Sequence, residues 1–125
     1  MNNKTFGELT FNTGWKTKTD IYFYGTNYNV VVKAKAYHES DGVTAEQESA
    51  YADFKGNKDA RLIMVENLLD DFADANSAKR FIPQTLLFQR NGGYALLLDD
   101  KQDEDGGIAV ILAPKAEVKS QDEYL

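Results

Sequence analysis

The sequence predicts an α+β fold in which a single antiparallel sheet of about six strands carries two helices on one face. Three observations lead to this prediction. Residues 15–37 alternate apolar and polar side chains with a period of two, as strands with one buried face do. Residues 44–75 instead repeat apolar side chains every three or four positions, as amphipathic helices do. Tight turns join the strands within each group, which favours antiparallel pairing and the order βββ-αα-βββ.

Three strands are predicted before the helices, over residues 6–11, 15–24 and 28–37. Asn-Thr-Gly and Gly-Thr-Asn stretches between them supply turn residues. Trp15 and Phe23 of the second strand share a face, and Val30 and Val32 of the third strand point to the same interior. Lys33, Lys35 and Tyr37 follow the opposite face, which we expect to be partly open to solvent.

Two helices follow the third strand. Thr44 and Gln47 match a capping box, in which the threonine hydroxyl and the glutamine side chain satisfy free backbone N–H groups at the start of a helix. The first helix is therefore predicted to begin at Thr44 and to end at Gly56, a residue type common just after a helix. The second helix is predicted over residues 58–75, ended by Asn76. Its apolar and acidic residues fall on two faces: Leu62, Val65, Leu68, Leu69 and Phe72 toward the sheet, and Glu66, Asp70, Asp71 and Asp74 toward water.

Three strands are predicted after the helices, over residues 83–90, 94–98 and 108–113. Asn91-Gly92-Gly93 favours a hairpin between the first two, because these residues tolerate positive φ. Residues 99–107 are predicted to form a loop, and residues 118–125 either a short edge strand or a free end. No linker or repeat divides the chain, so residues 1–125 are predicted to form one domain.

Composition argues against several classes of function. The 125 residues contain 14 Lys and Arg against 20 Asp and Glu, for a net charge of −6. Nucleic acids and anionic membrane surfaces attract basic proteins, so neither is an expected partner. The absence of cysteine excludes disulfides and thiolate sites and suits a reducing cytoplasm, which is the expected location. The first residues lack the apolar core of a secretory signal, and no apolar run is long enough to cross a membrane.

The candidate catalytic and metal-binding residues are few. His38 is the only histidine, so any triad or zinc site based on histidine reduces to one residue; a pair with Ser40 lacks a glycine elbow. An EF-hand alignment of the acidic segment puts Lys101 and Leu112 at positions that require ligands. Glycine-rich phosphate-binding motifs are also absent from the sequence. We therefore expect no catalytic residue, metal or cofactor and lean against an enzyme; a weak calcium site on the acidic segment and an active site built only from carboxylates stay open as alternatives.

Two features favour a protein-binding role. The segment 99–105 contains five carboxylates, which are Asp99, Asp100, Asp103, Glu104 and Asp105. Three tyrosines, Tyr22, Tyr24 and Tyr37, are expected on the open sheet face. The leading hypothesis is a non-enzymatic module that binds a protein with a cationic surface through these eight residues. Two alternatives stay open. One is a small-ligand binder or carboxylate-based hydrolase with a cleft between helices and sheet, and the other is a structural domain acting as an oligomer. The oligomeric state is not predicted.

Three stretches resemble a group of small bacterial domains of unknown function, the DUF2004 and DUF6985-like proteins. They are FGELTF followed by Trp15, TAEQESAYADF at residues 44–54, and YALLLDD at 94–100 continuing through DEDGGIAV to the final QDEYL. The resemblance implies a cytoplasmic bacterial α+β protein without assigned catalytic residues. Some of these relatives look like immunity proteins of polymorphic toxin systems, which block a toxin by binding it. The resemblance therefore implies a toxin-like partner, whose cationic active site an acidic patch can mask.

Overall fold

The computed structural model describes residues 1–73 and 77–125. It has an α+β fold with a mainly antiparallel sheet of seven strands. The strands, in chain order, are β1 (Asn2–Asn3), β2 (Gly7–Glu8), β3 (Thr10–Phe11), β4 (Trp15–Phe23), β5 (Thr26–Ala34), β6 (Phe81–Phe88), β7 (Tyr94–Asp100), β8 (Asp103–Ala113) and β9 (Glu117–Ser120). The described helices are α1 (Ala45–Gly56), α2 (Lys58–Ala73), α3 (Ser77–Arg80) and α4 (Gln121–Tyr124), with a short 3-10 turn at Glu39–Asp41. The predicted stop at Asn76 and the predicted position of Asp74 lie outside the described residues.

Strands β3 to β9 lie side by side in chain order, and all neighbours but one are antiparallel. The exception is β5 with β6, which pair in parallel with Val31 opposite Thr85 and Ala34 opposite Phe88. The prediction of a purely antiparallel sheet of about six strands is therefore wrong in these two respects. A parallel pair needs a long crossover, and the helices between β5 and β6 provide one by returning the chain to the end of the sheet where β5 began.

The first predicted strand, over residues 6–11, is divided in the structure. Phe6 and Leu9 are both buried, a spacing of three that a continuous strand with one buried face cannot supply. Gly7 adopts a φ of 79°, in the left-handed region that glycine tolerates, and bends the chain between them. As a result β2 pairs with β1 in a separate two-stranded sheet, and only Thr10 and Phe11 join the edge of the main sheet.

The alternation predicted for β4 and β5 is confirmed. Trp15, Ile21, Phe23, Val30 and Val32 are each at most 5% exposed and belong to the core between sheet and helices. The intervening side chains of both strands are half-buried or exposed on the outer face. Burial of the large apolar side chains on one face supplies most of the free energy that holds the helices against the sheet.

Helix α1 begins as its sequence predicts. The Thr44 hydroxyl accepts from the backbone N–H of Gln47, and the Gln47 side-chain oxygen accepts from the backbone N–H of Thr44. The Gln47 amide nitrogen also donates to the backbone oxygens of Lys35, just after β5, and Phe88, at the end of β6. Gln47 is completely buried. Its side-chain hydrogen bonds therefore link the start of α1 to both strands of the parallel pair. The last residue of the helix is Gly56, and Asn57 rather than Gly56 is its cap.

Helix α2 departs from its predicted pattern at two residues. Leu62, Val65 and Leu69 are buried as expected, but Phe72 is 52% exposed. Glu66 does not simply face water, since its carboxylate accepts the backbone N–H of Tyr24 in the β4–β5 turn. Phe72 and Glu66 therefore both lie toward the end of the sheet that also carries the turn between β7 and β8.

The C-terminal residues extend the sheet and then fold back on it. Strand β9 pairs with residues 108–111 of β8, so the alternative of an edge strand is confirmed for Glu117–Ser120. In α4, the Gln121 amide donates to the backbone oxygens of Leu98 and Ile108. This side chain lies directly over Gly107, which leaves no room for a larger residue at that position.

The two adjacent glycines of β8 provide a test of this packing. A Cβ at residue 107 would lie 2.7 Å from the backbone oxygen of Leu98, whereas a Cβ at residue 106 would meet chiefly the movable carboxylate of Asp103. We expect Gly107→Ala to lower the free energy of unfolding by about 1–3 kcal/mol, as overpacked sites do. Gly106→Ala is the matched control and is expected to change it by less than about 0.5 kcal/mol. Urea unfolding of both variants measures this, and equal effects would contradict the close approach of the Leu98 backbone oxygen to Gly107.

Candidate functional site

The acidic segment predicted as a loop is largely strand. Strand β7 runs to Asp100 and β8 starts at Asp103, leaving only residues 101 and 102 as the turn. The next register pair joins Asp99 to Gly107, so residues 104–106 have no counterpart on β7. They form a bulge at the tip of the hairpin, in which extra residues of one strand are left out of the hydrogen-bonded pairing.

The hairpin presents an acidic surface made of Asp99, Asp103, Glu104 and Asp105, all of which are exposed. The Asp99 carboxylate accepts one hydrogen bond, from the side-chain amide of Gln84 at 3.0 Å. The other three carboxylates have no hydrogen bond or ion pair with the described residues 1–73 and 77–125. We call these four residues the acidic hairpin. Because their mutual repulsion is not neutralised within the described chain, a cationic partner would relieve it.

Asp100 has a different environment from its neighbours. It is 7% exposed, and its two carboxylate oxygens accept from Nε and Nη2 of Arg80, both at 2.9 Å. The backbone N–H of Gln102 donates to the same carboxylate. Hydrogen bonding to Arg80 is the main cause that lowers the pKa of Asp100 below its usual value. Asp100 is therefore corrected from a partner-facing residue to one that fixes the base of the hairpin against α3.

A groove of about 430 Å³ lies beside the acidic hairpin. Phe72 from α2, Ile108 from β8 and Val118 from β9 give it apolar walls, while Asp103 and Glu123 stand at its rim. The Phe72 ring approaches Phe81 with centroids 6.3 Å apart but keeps half of its surface exposed. Sequence periodicity assigned Phe72 to the core, whereas the structure shows it as a half-exposed aromatic side chain at the surface.

The three candidate tyrosines are not on one face. Tyr22 is 64% exposed at the end of β4, on the same end of the sheet as the acidic hairpin and three strand spacings away, about 14 Å. Tyr24 lies in the β4–β5 turn with a φ of 49° and packs toward α2, donating to Asp70 at 2.6 Å. Burial and this hydrogen bond raise the pKa of Tyr24 far above its usual value. Tyr37 is 94% exposed, but it follows β5 and so lies at the opposite end of the sheet.

The other sequence candidates form no reactive arrangement. His38 and Ser40 are exposed beside the 3-10 turn, where His38 donates its backbone N–H to Asp41. Within residues 1–73 and 77–125, no group of three or more His, Asp or Glu side chains could hold a metal ion. The described helices include none with the length and apolar character needed to cross a membrane.

The alternative of a carboxylate-based hydrolase depends on a cleft between helices and sheet. A shallow groove of about 590 Å³ separates α1 from the β6–β7 hairpin, and Glu46 and Asp53 are the carboxylates among its lining residues. Asp53 is paired with Arg61 at 2.8 Å and also accepts from the Asn57 side chain, which makes it a structural link between α1 and α2. The groove therefore offers one unengaged carboxylate, whereas carboxylate hydrolysis of glycosides uses two.

Comparisons of the chain with protein-family models, curated proteins and solved structures find no match. The resemblance to the DUF2004 and DUF6985-like domains stays a prediction. The arguments about the site consequently depend on the geometry of this chain alone.

The ion pair between Asp100 and Arg80 should make the free energy of unfolding depend on pH. Because its pKa is lowered on folding, the Arg80 pair stabilises the protein above about pH 4, the unfolded value, and this contribution is lost as pH falls through the folded value. We expect Asp100→Asn to lower the free energy of unfolding by about 2 kcal/mol at pH 7. The difference from wild type should shrink below about pH 4.

Asp99→Asn is the matched control, since it removes the same charge from the adjacent exposed position. It is expected to change stability by less than about 0.5 kcal/mol across this pH range. Urea titrations at several pH values compare the three proteins. A pH-independent penalty for Asp100→Asn would contradict the assigned ion pair.

Proposed function

We propose that the protein is a non-enzymatic binding module that docks the acidic hairpin and Phe72 onto a cationic surface of another protein. The observation that carries this proposal is that Asp103 and half-exposed Phe72 line one groove, and that Asp103 is followed directly by the unpaired carboxylates of Glu104 and Asp105. Protein interfaces are typically anchored by a few aromatic residues within a polar rim. Phe72 supplies such an anchor, and Asp103, Glu104 and Asp105 supply the rim.

The rigidity of the hairpin supports this role. Its base is held by the bidentate bond from Arg80 to Asp100, and the bulge is bounded by paired strand residues on both sides. Binding therefore need not order a long free loop, so little conformational entropy would be lost on docking. Concentrated negative charge also accelerates encounter with a cationic partner, an effect that weakens as salt increases.

The proposed partner is toxin-like, with a cationic active site that the acidic hairpin covers. Two considerations support this choice: the net charge of −6, which disfavours nucleic acid and anionic membranes, and the sequence resemblance to domains that include immunity-type proteins. Tyr22 lies at the same end of the sheet but on its outer face, away from the helix-covered face that carries Phe72. Tyr24, Tyr37 and Asp100 are not part of this surface.

Quantitative affinity capture from the source organism tests the proposal. The full-length protein is immobilised and compared with a triple variant carrying Asp103→Asn, Glu104→Gln and Asp105→Asn, and with Phe72→Ser. We expect a specific captured protein to be reduced about tenfold by either change, because one removes the charged rim and the other removes the anchor. Its retention on wild type should fall as salt is raised.

A charge-matched variant keeps this test specific. Glu39→Gln, Glu46→Gln and Asp59→Asn together remove the same three charges from exposed positions outside the acidic hairpin. This variant is expected to capture the partner as wild type does. Equal capture by wild type, the hairpin triple variant and Phe72→Ser would contradict the proposed surface.

A further inference from the structure

A second concave site lies at the opposite end of the sheet from the acidic hairpin. It is a crevice of about 430 Å³ where β5 and β6, the parallel pair, both end. Its lining residues come from three separate segments: Thr13, Lys35, Ala36, Tyr37, Gln89, Arg90 and Asn91. Open sheets bind ligands in crevices outside the carboxyl ends of parallel strands, because the chain diverges there and leaves room between the loops. The volume falls within the range of small-molecule sites.

The guanidinium of Arg90 is fixed in this crevice without a carboxylate partner. Its Nη1 donates to the backbone oxygens of Lys35 at 3.0 Å and Gly42 at 2.7 Å, and its Nη2 donates to that of Asp41 at 3.2 Å. Three of its five N–H donors are thereby used on neutral acceptors, which orient the group but leave its charge in place. No carboxylate of the described residues lies within ion-pair distance of it.

The surroundings of Arg90 are also cationic. Lys35 lines the same crevice and has no ion-pair partner among the described residues. Lys33 and Lys16 lie on the same outer face and are directly opposite each other across β4 and β5. Burial, followed by repulsion from Lys16 and Lys35, lowers the pKa of Lys33. The protein thus places Arg90 and three lysines without ion-pair partners among the described residues toward one end of its sheet.

The crevice also contains groups that suit a planar molecule. Tyr37 lines it with a ring that is 94% exposed, which leaves the face of the ring free for stacking. Gln89 and Asn91 contribute side-chain amides; the Asn91 oxygen is engaged by the backbone N–H of Gly93, so its NH₂ group is left as the donor toward other groups. The held guanidinium of Arg90, the nearby Lys35 ammonium, amide donors and one aromatic ring are a combination that recognises an anion attached to a ring.

We propose that this crevice binds a small anionic molecule, a phosphate monoester or a carboxylate, whose planar group stacks on Tyr37. Arg90 and Lys35 hold the anionic group, with Asn91 as a further donor. This inference is independent of the acidic hairpin, which lies at the other end of the sheet, so either proposal can fail without the other.

Titration of the full-length protein with two simple probes, phenyl phosphate and benzoate, tests the site by NMR chemical-shift changes and calorimetry. We expect saturable binding of one or both probes, with shifts centred on residues 35–37 and 89–91. Lys35→Gln should weaken binding about tenfold, the usual effect of losing one charge-assisted contact. Arg90 is unsuitable for this substitution because its bonds to three carbonyls also hold the loop.

Two further comparisons separate a built site from general attraction to positive charge. Tyr37→Ala should weaken phenyl phosphate about tenfold and leave inorganic phosphate unchanged, because only the ring contact is lost. Lys18→Gln, which removes one charge from an exposed lysine outside the crevice, should leave both affinities unchanged.

Binding of phenyl phosphate alone identifies the anion as phosphate, and binding of benzoate alone identifies it as carboxylate. The proposal is overturned if neither probe gives saturable shifts up to about 10 mM. It is also overturned if Lys18→Gln weakens binding as much as Lys35→Gln.

Discussion

The buried side chain of Gln47 is the contact on which the arrangement of helices and sheet depends. Its oxygen completes the cap of α1, and its amide nitrogen reaches the backbone oxygens of Lys35 and Phe88. The start of α1 is thereby fixed to the ends of β5 and β6, the two strands that the helical crossover joins in parallel. A buried amide that satisfies all of these groups specifies one arrangement, because any displacement of the helix would leave polar atoms without partners. The same junction positions Arg90, whose backbone oxygen accepts from the Thr44 hydroxyl.

The two ends of the sheet carry different unpaired side chains. The crossover places the β5 and β6 carboxyl ends, with Lys35 and Arg90, at one end, and the turn between β7 and β8, with the acidic hairpin, at the other. The two proposed binding sites follow from this separation: a large cationic surface at the end with the acidic hairpin and a small anionic molecule at the end with Lys35 and Arg90. Each requires a rigid frame, which the sheet supplies.

Local sequence patterns predicted local structure well, and contacts distant in sequence were not predictable from them. The capping box at Thr44 and the alternation along residues 15–34 depend on neighbouring residues, and both are confirmed. Pairing of Asp100 with Arg80 brings together residues 20 positions apart. Sequence spacing alone therefore could not show that Asp100 is buried and paired while Asp99 is exposed. The exposure of Phe72 depends on how α2 packs against the sheet, and the crevice combines three distant segments. One feature of the sequence could have indicated the parallel pair. The helical segment between the two groups of strands is long enough to be a crossover, which allows parallel pairing and a crevice at the ends of the paired strands.

The role of Gln47 is tested most directly by comparing the stability of Gln47→Met with that of Gln102→Met. The first substitution keeps the size of the side chain and removes its hydrogen bonds, and the second lies in the exposed β7–β8 turn. We expect the first change to lower the free energy of urea unfolding by about 2–3 kcal/mol, the sum of three lost hydrogen bonds. The second should change it by less than about 0.5 kcal/mol. Equal, small effects of the two substitutions would contradict the claim that Gln47 fixes the helices to the parallel strands.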